Sequence, residues 1–259
     1  MRLNLTLQLV TGNTLPCNYM YELSSCLYRV LNEGNTEFAT WLHDTGFCKE
    51  KKAFKLFTFS HLHIPRFQIE EDRIHLLADY VQLTVSFFPI KAIESFVLGI
   101  FRNRRLEIGD KKSHVVFEVT AVEQETEPTF TSCMTFKTIS PLFIEEQFPD
   151  SNRTIHLSPS DPKFIELLHL NLLDKYRAFY NLEPNPSWSM SHLAILSPPK
   201  SKTITLKAGT PQEIRMKGYL FSFRLESEPE LLRLGYAGGF GRLNSQGFGC
   251  VKIIERIQK

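Results

Sequence analysis

At 259 residues the chain suits one large domain or two of ordinary size, and 42% hydrophobic with 22% charged residues excludes a disordered or fibrous protein. A formal charge of +2 excludes a globally basic nucleic-acid binder, so any cationic footprint has to be local. The five cysteines (Cys17, Cys26, Cys48, Cys133, Cys250) are odd in number and form no C-x-x-C pair, which disfavours a disulfide framework and a zinc cluster.

In chain order, Arg2 to Val10 alternates, with Leu3, Leu5, Leu7 and Leu9 on one face, which is the pattern of a half-buried strand. A helix is predicted from Tyr21 to Asn32, with Leu23, Leu27, Val30 and Leu31 facing inward and Gly34 ending it. A second short helix follows from Thr36 to Asp44, capped by Asn35 or Thr36. Phe54 to Ser60 reads as a strong strand and Arg73 to Ala78 as another. Pro89 opens a helix through Phe101, and Leu106 to Ile108 and Val115 to Val122 are strands. This order predicts a βαββαβ, ferredoxin-like unit over 1–122. Glu123 to Pro128 reads as a polar linker.

The second half repeats the theme. Phe130 to Ile139 and Ile155 to Leu157 are strand-like, and Phe164 to Tyr180 is a helix started by Asp161-Pro162. Thr203 to Leu206, Gln212 to Met216 and Tyr219 to Leu225 are strands, the last two forming a hairpin around Lys217-Gly218. Pro229 to Leu234 is a short helix. The expected fold class is α+β, two tandem ferredoxin-like (βαββαβ) units, the second over 129–259. No apolar run approaches the ~18 residues of a membrane span. The N-terminus is strand-like rather than signal-like, so a cytoplasmic location is expected.

Gly235, Gly238, Gly239, Gly241, Gly247 and Gly249 crowd the run GYAGGFGRLNSQGFG over 235–249, out of 13 glycines in the chain. Such density means backbone that bends sharply or lies close against something. Successive N–H groups in those bends can cradle a phosphate, with Arg233 and Arg242 adding charge. By itself the run reads equally well as a turn region closing a sheet edge. No Gly-Lys-Ser/Thr follows, so it is not a P-loop. The spacing Gly239-x-Gly241-x5-Gly247-Phe248-Gly249, running into a short last strand, resembles the signature loop of the repeat-associated CRISPR RNA-binding proteins. In particular it is similar to the endoribonucleases that cut CRISPR precursor RNA within its repeats, the Cas-six family. The resemblance spans essentially the whole chain.

Three side chains of the first unit can carry chemistry. Tyr28 follows the core-facing Leu27 and so stands off the buried stripe, His43 ends the second helix, and Lys55 opens the strong strand. Each alone reads as well as a packing tyrosine, a capping histidine or a solvated lysine. The resemblance implies more. In that family a Tyr on the first helix, a His about fifteen residues on and a Lys at the next strand form the active site, and Leu27-Tyr28, Trp41-Leu42-His43 and Lys55-Leu56-Phe57-Thr58-Phe59-Ser60 stand at those places. Lys49, Lys51 and Lys52 compete for the cationic role. The implied chemistry is metal-free RNA transesterification, in which acid, base and cation come from side chains. Which of Tyr28 and His43 is base and which acid stays open. His61 and His63 lack a carboxylate or thiolate to complete a metal set and are read as facing solvent or RNA; no metal and no cofactor are expected.

RNA contacts are expected from Gly239, Gly241, Arg242, Asn244, Ser245, Gly247 and Gly249 of the loop and from Arg102, Arg104 and Arg105. Lys111, Lys112, Lys200, Lys202, Arg215 and Lys217 are further cations. The implied partner is CRISPR repeat RNA; membership of a multisubunit interference complex, or a homodimer, is left open. The rival readings are a guide-RNA-binding relative that does not cut, against which Tyr28 and His43 occurring together argue, and an enzyme gripping a nucleotide phosphate.

Overall fold

The computed structural model describes residues 1–148, 153–208 and 211–254. The last expected residues of the second unit, 255–259, lie outside the described residues. The first sheet forms around β1 (Arg2–Thr11), whose Leu3, Leu5 and Leu7 are buried as the alternation requires. With β2 (Phe57–Phe59), β3 (Tyr80–Phe87), β4 (Arg105–Gly109) and β5 (His114–Glu125) the order is β2-β3-β1-β5-β4, antiparallel throughout. Helices α1 (Met20–Gly34), α2 (Thr36–Asp44) and α3 (Ile90–Arg102) supply the crossovers, and their apolar faces share one core with the sheet. Strand order and crossovers are those of a βαββαβ unit, with β4 added at one edge.

Two expectations for this half are corrected. The run from Phe54 to Ser60 is not one strand. Lys52–Phe54 pairs with Phe47–Lys49 in a separate ribbon, and only Phe57–Phe59 joins the sheet. The chain breaks between them at Leu56, a non-glycine residue at φ 51°. Arg73–Leu76 lies outside the main sheet, in a small one with Thr14–Pro16 and Phe67–Glu70. Its expected place belongs to β3, whose Val81, Leu83, Val85 and Phe87 are buried. The linker is also shorter than its composition suggests, because β5 stays paired with β1 as far as Arg2 opposite Glu125.

In the second half β6 (Cys133–Thr138), β7 (His192–Ile195), β8 (Ser222–Glu226) and β9 (Val251–Ile253) form a sheet of order β7-β8-β6-β9. Helices α4 (Pro162–Tyr180) and α5 (Pro229–Gly238) make its crossovers, so the strand order of the first sheet recurs. Asp161 caps α4 through Lys163 N, as its Asp-Pro start predicts. The hairpin around Lys217-Gly218 is corrected: Ile214–Leu220 is one strand, and it pairs with Lys200–Leu206. Gly218 is there because another chain segment crosses it; a Cβ would stand 2.8 Å from Pro141 Cβ. Helix α5 runs to Gly238, so the first part of the glycine run is helical. Among the described residues, no helix is long and apolar enough to cross a membrane.

Candidate active site

Tyr28 lies at the edge of α1's buried stripe, half-buried, with its ring edge-on to Phe57 of β2 at 5.4 Å and to His43 at 5.1 Å. Helix α2 is capped by Asn35, whose side chain accepts from Phe38 N at 2.9 Å, and eight residues on its last turn carries His43 to the surface. The His43 side chain is 67% exposed, and its Nδ1 lies 2.8 Å from Asp44 Oδ1. Lys55, at the break before β2, donates from Nζ to the backbone oxygen of His43 at 2.7 Å. Tyr28 and His43 are thus in ring contact, and the Lys55 ammonium lies against the backbone of His43. Of the competing lysines, Lys49 pairs with Glu183 at 3.2 Å and Lys52 with Asp174 at 2.5 Å.

Burial pushes the Tyr28 phenol up to about 12, against a smaller downward pull from its hydrogen bond with Ser245. The hydroxyl therefore keeps its proton at neutral pH. Burial also lowers the Lys55 ammonium from its usual range, partly offset by Cys48 and Asp44. Asp44 was missed in the sequence, where its only signal is an acid directly after the histidine. An ionised carboxylate can only accept, so in this contact Asp44 favours the ring form with a proton on Nδ1.

The glycine loop closes over this group from the other half. Gly239, Gly241, Gly247 and Gly249 all have positive φ, between 70° and 91°, and all four are buried. The backbone folds on itself: Phe240 N donates to Gly249 O at 3.0 Å, Gly249 N to Pro141 O at 2.8 Å and Arg242 N to Phe143 O at 2.9 Å. Asn244 is buried too, its amide donating to Phe240 O and Phe248 O at 3.0 Å each. These residues shape the loop from inside, whereas Arg242, Ser245 and Gln246 face outward in part. Ser245 meets α1 twice, through Tyr28 and through its carbonyl, which accepts from Ser24 Oγ at 2.6 Å. Arg242 Nη1 lies 2.6 Å from Glu145 Oε1, a nearly buried carboxylate that the sequence did not single out.

A cleft of about 400 Å³ opens between Lys51–Lys55, the loop and α4. Lys51, Lys52, Lys55 and Arg242 line it, against Glu145 and Asp174. Arg102, Arg104 and Arg105 are not part of it. Arg102 donates to the carbonyls of Glu33 and Gly34 at the end of α1, and Arg104 and Arg105 lie at the start of the edge strand β4. His61 departs from its expected place at solvent. Among the described residues its Nε2 is enclosed without a partner, its ring stands edge-on to Tyr19 at 6.3 Å, and burial lowers its pKa to about 4. His63 is exposed.

Residues 123–253 match the family described as CRISPR associated protein Cas6, C-terminal, and residues 14–120 match CRISPR-associated protein Cas6, N-terminal. The chain is 29% identical over 263 residues to the CRISPR-associated endoribonuclease Cas6 1 of Methanocaldococcus jannaschii, covering 98% of this chain and 93% of that one. It is 27% identical over 246 residues to the CRISPR-associated endoribonuclease Cas6 of Pyrococcus furiosus, covering 92% and 83%. A solved structure described as a Cas6-related gene product from Pyrococcus furiosus superposes with a TM-score of 0.83 at 25% identity, covering 99% of both chains.

Proposed function

This chain belongs to the Cas6 family, and from that premise we propose that it is an endoribonuclease cutting CRISPR precursor RNA within its repeats, with Tyr28, His43 and Lys55 as the reacting group. The observation that carries the site is the convergence of these three side chains beside a cation-lined cleft. In the reaction the 2′-oxygen attacks the adjacent phosphorus, the bond from phosphorus to the 5′-oxygen breaks, and the departing oxygen takes a proton. The products are a 2′,3′-cyclic phosphate and a 5′-hydroxyl. His43 exchanges a proton with the reacting oxygens through Nε2. Tyr28, which holds its own proton at neutral pH, starts as the hydrogen-bond donor of the pair. Lys55 turns from the His43 carbonyl to the charge that builds on the phosphoryl oxygens. The three groups supply acid, base and cation without a metal ion. The first unit provides the chemistry, and the loop of the second provides the facing wall of the cleft.

The test is cutting of repeat RNA in EDTA, with a second substrate carrying a 2′-deoxy group at the cut. Cleavage of the first and not the second is expected. His43→Ala removes the proton exchange and slows cutting by about 10²–10⁴-fold, with RNA binding retained. A His43→Ala variant that cuts at the normal rate would refute the site.

A further inference from the structure

Lys175 lies on the buried stripe of α4 with Phe164, Leu168 and Leu172, at 1% exposure, a position where a helix normally carries an apolar residue. Its Nζ donates to Gly239 O at 2.5 Å, to Gly241 O at 2.8 Å and to Asn244 Oδ1 at 2.8 Å. An ammonium has three N–H bonds and no lone pair, and three acceptors meet them. None of these partners is a carboxylate, so the charge is held by dipoles alone, and burial pulls its pKa down to about 7.

All three acceptors belong to the glycine loop. Gly239 and Gly241 flank Phe240, both at positive φ, and the other end of the Asn244 amide reaches Phe240 O and Phe248 O. Lys175 and Asn244 together therefore gather four carbonyls of the loop onto one point of α4. The next residue is Ser245, which touches Tyr28 and takes the Ser24 hydroxyl on its carbonyl. An unbroken set of contacts runs from the core of the second half to the phenol in the first.

We propose that Lys175 is a positioning residue for the cut: by fixing Asn244 it seats Ser245 against Tyr28 and sets the direction of the phenol's proton. It is too deep to touch RNA. The inference rests on Tyr28 taking part in the reaction. A proton misplaced by about 1 Å costs up to ~10²-fold in rate. RNA held along the outer cleft does not depend on that placement.

The experiment compares Lys175→Met, Tyr28→Phe and the double variant. It reads the single-turnover cutting rate at saturating protein, and the affinity for a 2′-deoxy repeat RNA. Lys175→Met should cut about 10- to 100-fold slower with affinity within about threefold of the parent. The double variant should cut no slower than Tyr28→Phe alone, because both changes remove one function; a lysine that merely supports the fold would add its own loss. If Tyr28→Phe cuts normally, the reading of the site fails. If Tyr28→Phe is impaired while Lys175→Met is not, or if the losses add in full, this inference fails and the site stands. Should Lys175→Met not fold, Lys175→Gln and Ser245→Ala replace it. The first keeps two N–H donors for the loop, and the second breaks the contact with Tyr28 beyond the lysine. Ser245→Ala cutting at the parental rate overturns the path to Tyr28.

Discussion

Asp44 shows how little the sequence advertises a supporting residue. It is one acid in the last turn of a helix, yet its carboxylate faces His43 Nδ1 at 2.8 Å. Both side chains are well exposed, so the pair contributes little to stability and its value lies in fixing the imidazole. Asp44→Ala should leave the unfolding midpoint unchanged and slow single-turnover cutting by about tenfold, well short of the loss on removing His43 itself. An unchanged rate would mean that the ring needs no such partner. Tyr28 makes a cleaner separation of packing from chemistry. Tyr28→Phe keeps the ring against Phe57 and His43 and removes only the hydroxyl. Cutting should fall by about 10²-fold or more while RNA affinity and thermal midpoint stay. His61 makes a prediction about pH. Its folded pKa, about 4, lies below the ordinary 6.5, so the unfolded chain binds the extra proton between those values. The stability it contributes is present above pH 6.5 and lost as pH falls toward 4. Urea midpoints at pH 7 and pH 5 should therefore differ less in His61→Gln than in the parent. An equal drop in both proteins would place the acid-sensitive group elsewhere.

At the scale of elements, the glycine loop is where a single methyl group matters most. Gly249 has φ 75°, and a Cβ there would lie 1.9 Å from the carbonyl oxygen of Phe240. Gly249→Ala adds a backbone clash to a disfavoured torsion, for about 2–4 kcal/mol of lost stability. Thermal unfolding should show a midpoint several degrees lower, and a midpoint within one degree would show that the bend can relax. Much at this scale was legible beforehand, and for identifiable reasons. β1 alternates cleanly, and α1, α3 and α4 carry helical stripes, because one face of each meets the core. Tyr28 stood out by falling just off such a stripe. What stayed hidden depends on chains that meet in space. Arg73–Leu76 and Tyr80–Phe87 both look like strands, and only pairing with β1 shows which one enters the main sheet. Lys217-Gly218 looks like a turn until the crossing Pro141–Leu142 segment is seen to need the missing side chain. Lys175 reads as one more charge on a helix until the loop carbonyls that surround it are in place.

The whole molecule matters because the proposed site is shared. The reacting side chains belong to the first half and the wall over them to the second, so whatever locks the halves together keeps the site in register. Leu56, Phe88, Leu234 and Ala237 form an apolar cluster between them, with Phe179 packed edge-on to Phe88 at 4.7 Å. Thr58 of β2 donates to Phe248 O at 2.9 Å. Arg2 adds a buried charged tie. At 3% exposure its guanidinium donates to Val251 O at 2.6 Å and to Tyr236 O at 2.9 Å, and it stacks 3.7 Å over the Tyr236 ring. The Tyr236 hydroxyl in turn bonds Glu125, the residue opposite Arg2 on β5. Arg2→Met keeps much of the stem's volume but leaves two buried carbonyls short of a donor, each costing roughly 1–3 kcal/mol. The variant should unfold about 2–4 kcal/mol more easily in urea. Well below its midpoint it should still cut repeat RNA, because Arg2 does not line the cleft beside which Tyr28, His43 and Lys55 lie. Stability and cutting should therefore separate in this variant, the reverse of Tyr28→Phe. A normal urea midpoint would show that the apolar cluster and the Thr58 hydrogen bond hold the halves without Arg2. A variant that stays folded yet does not cut would show that the seam tunes the site directly.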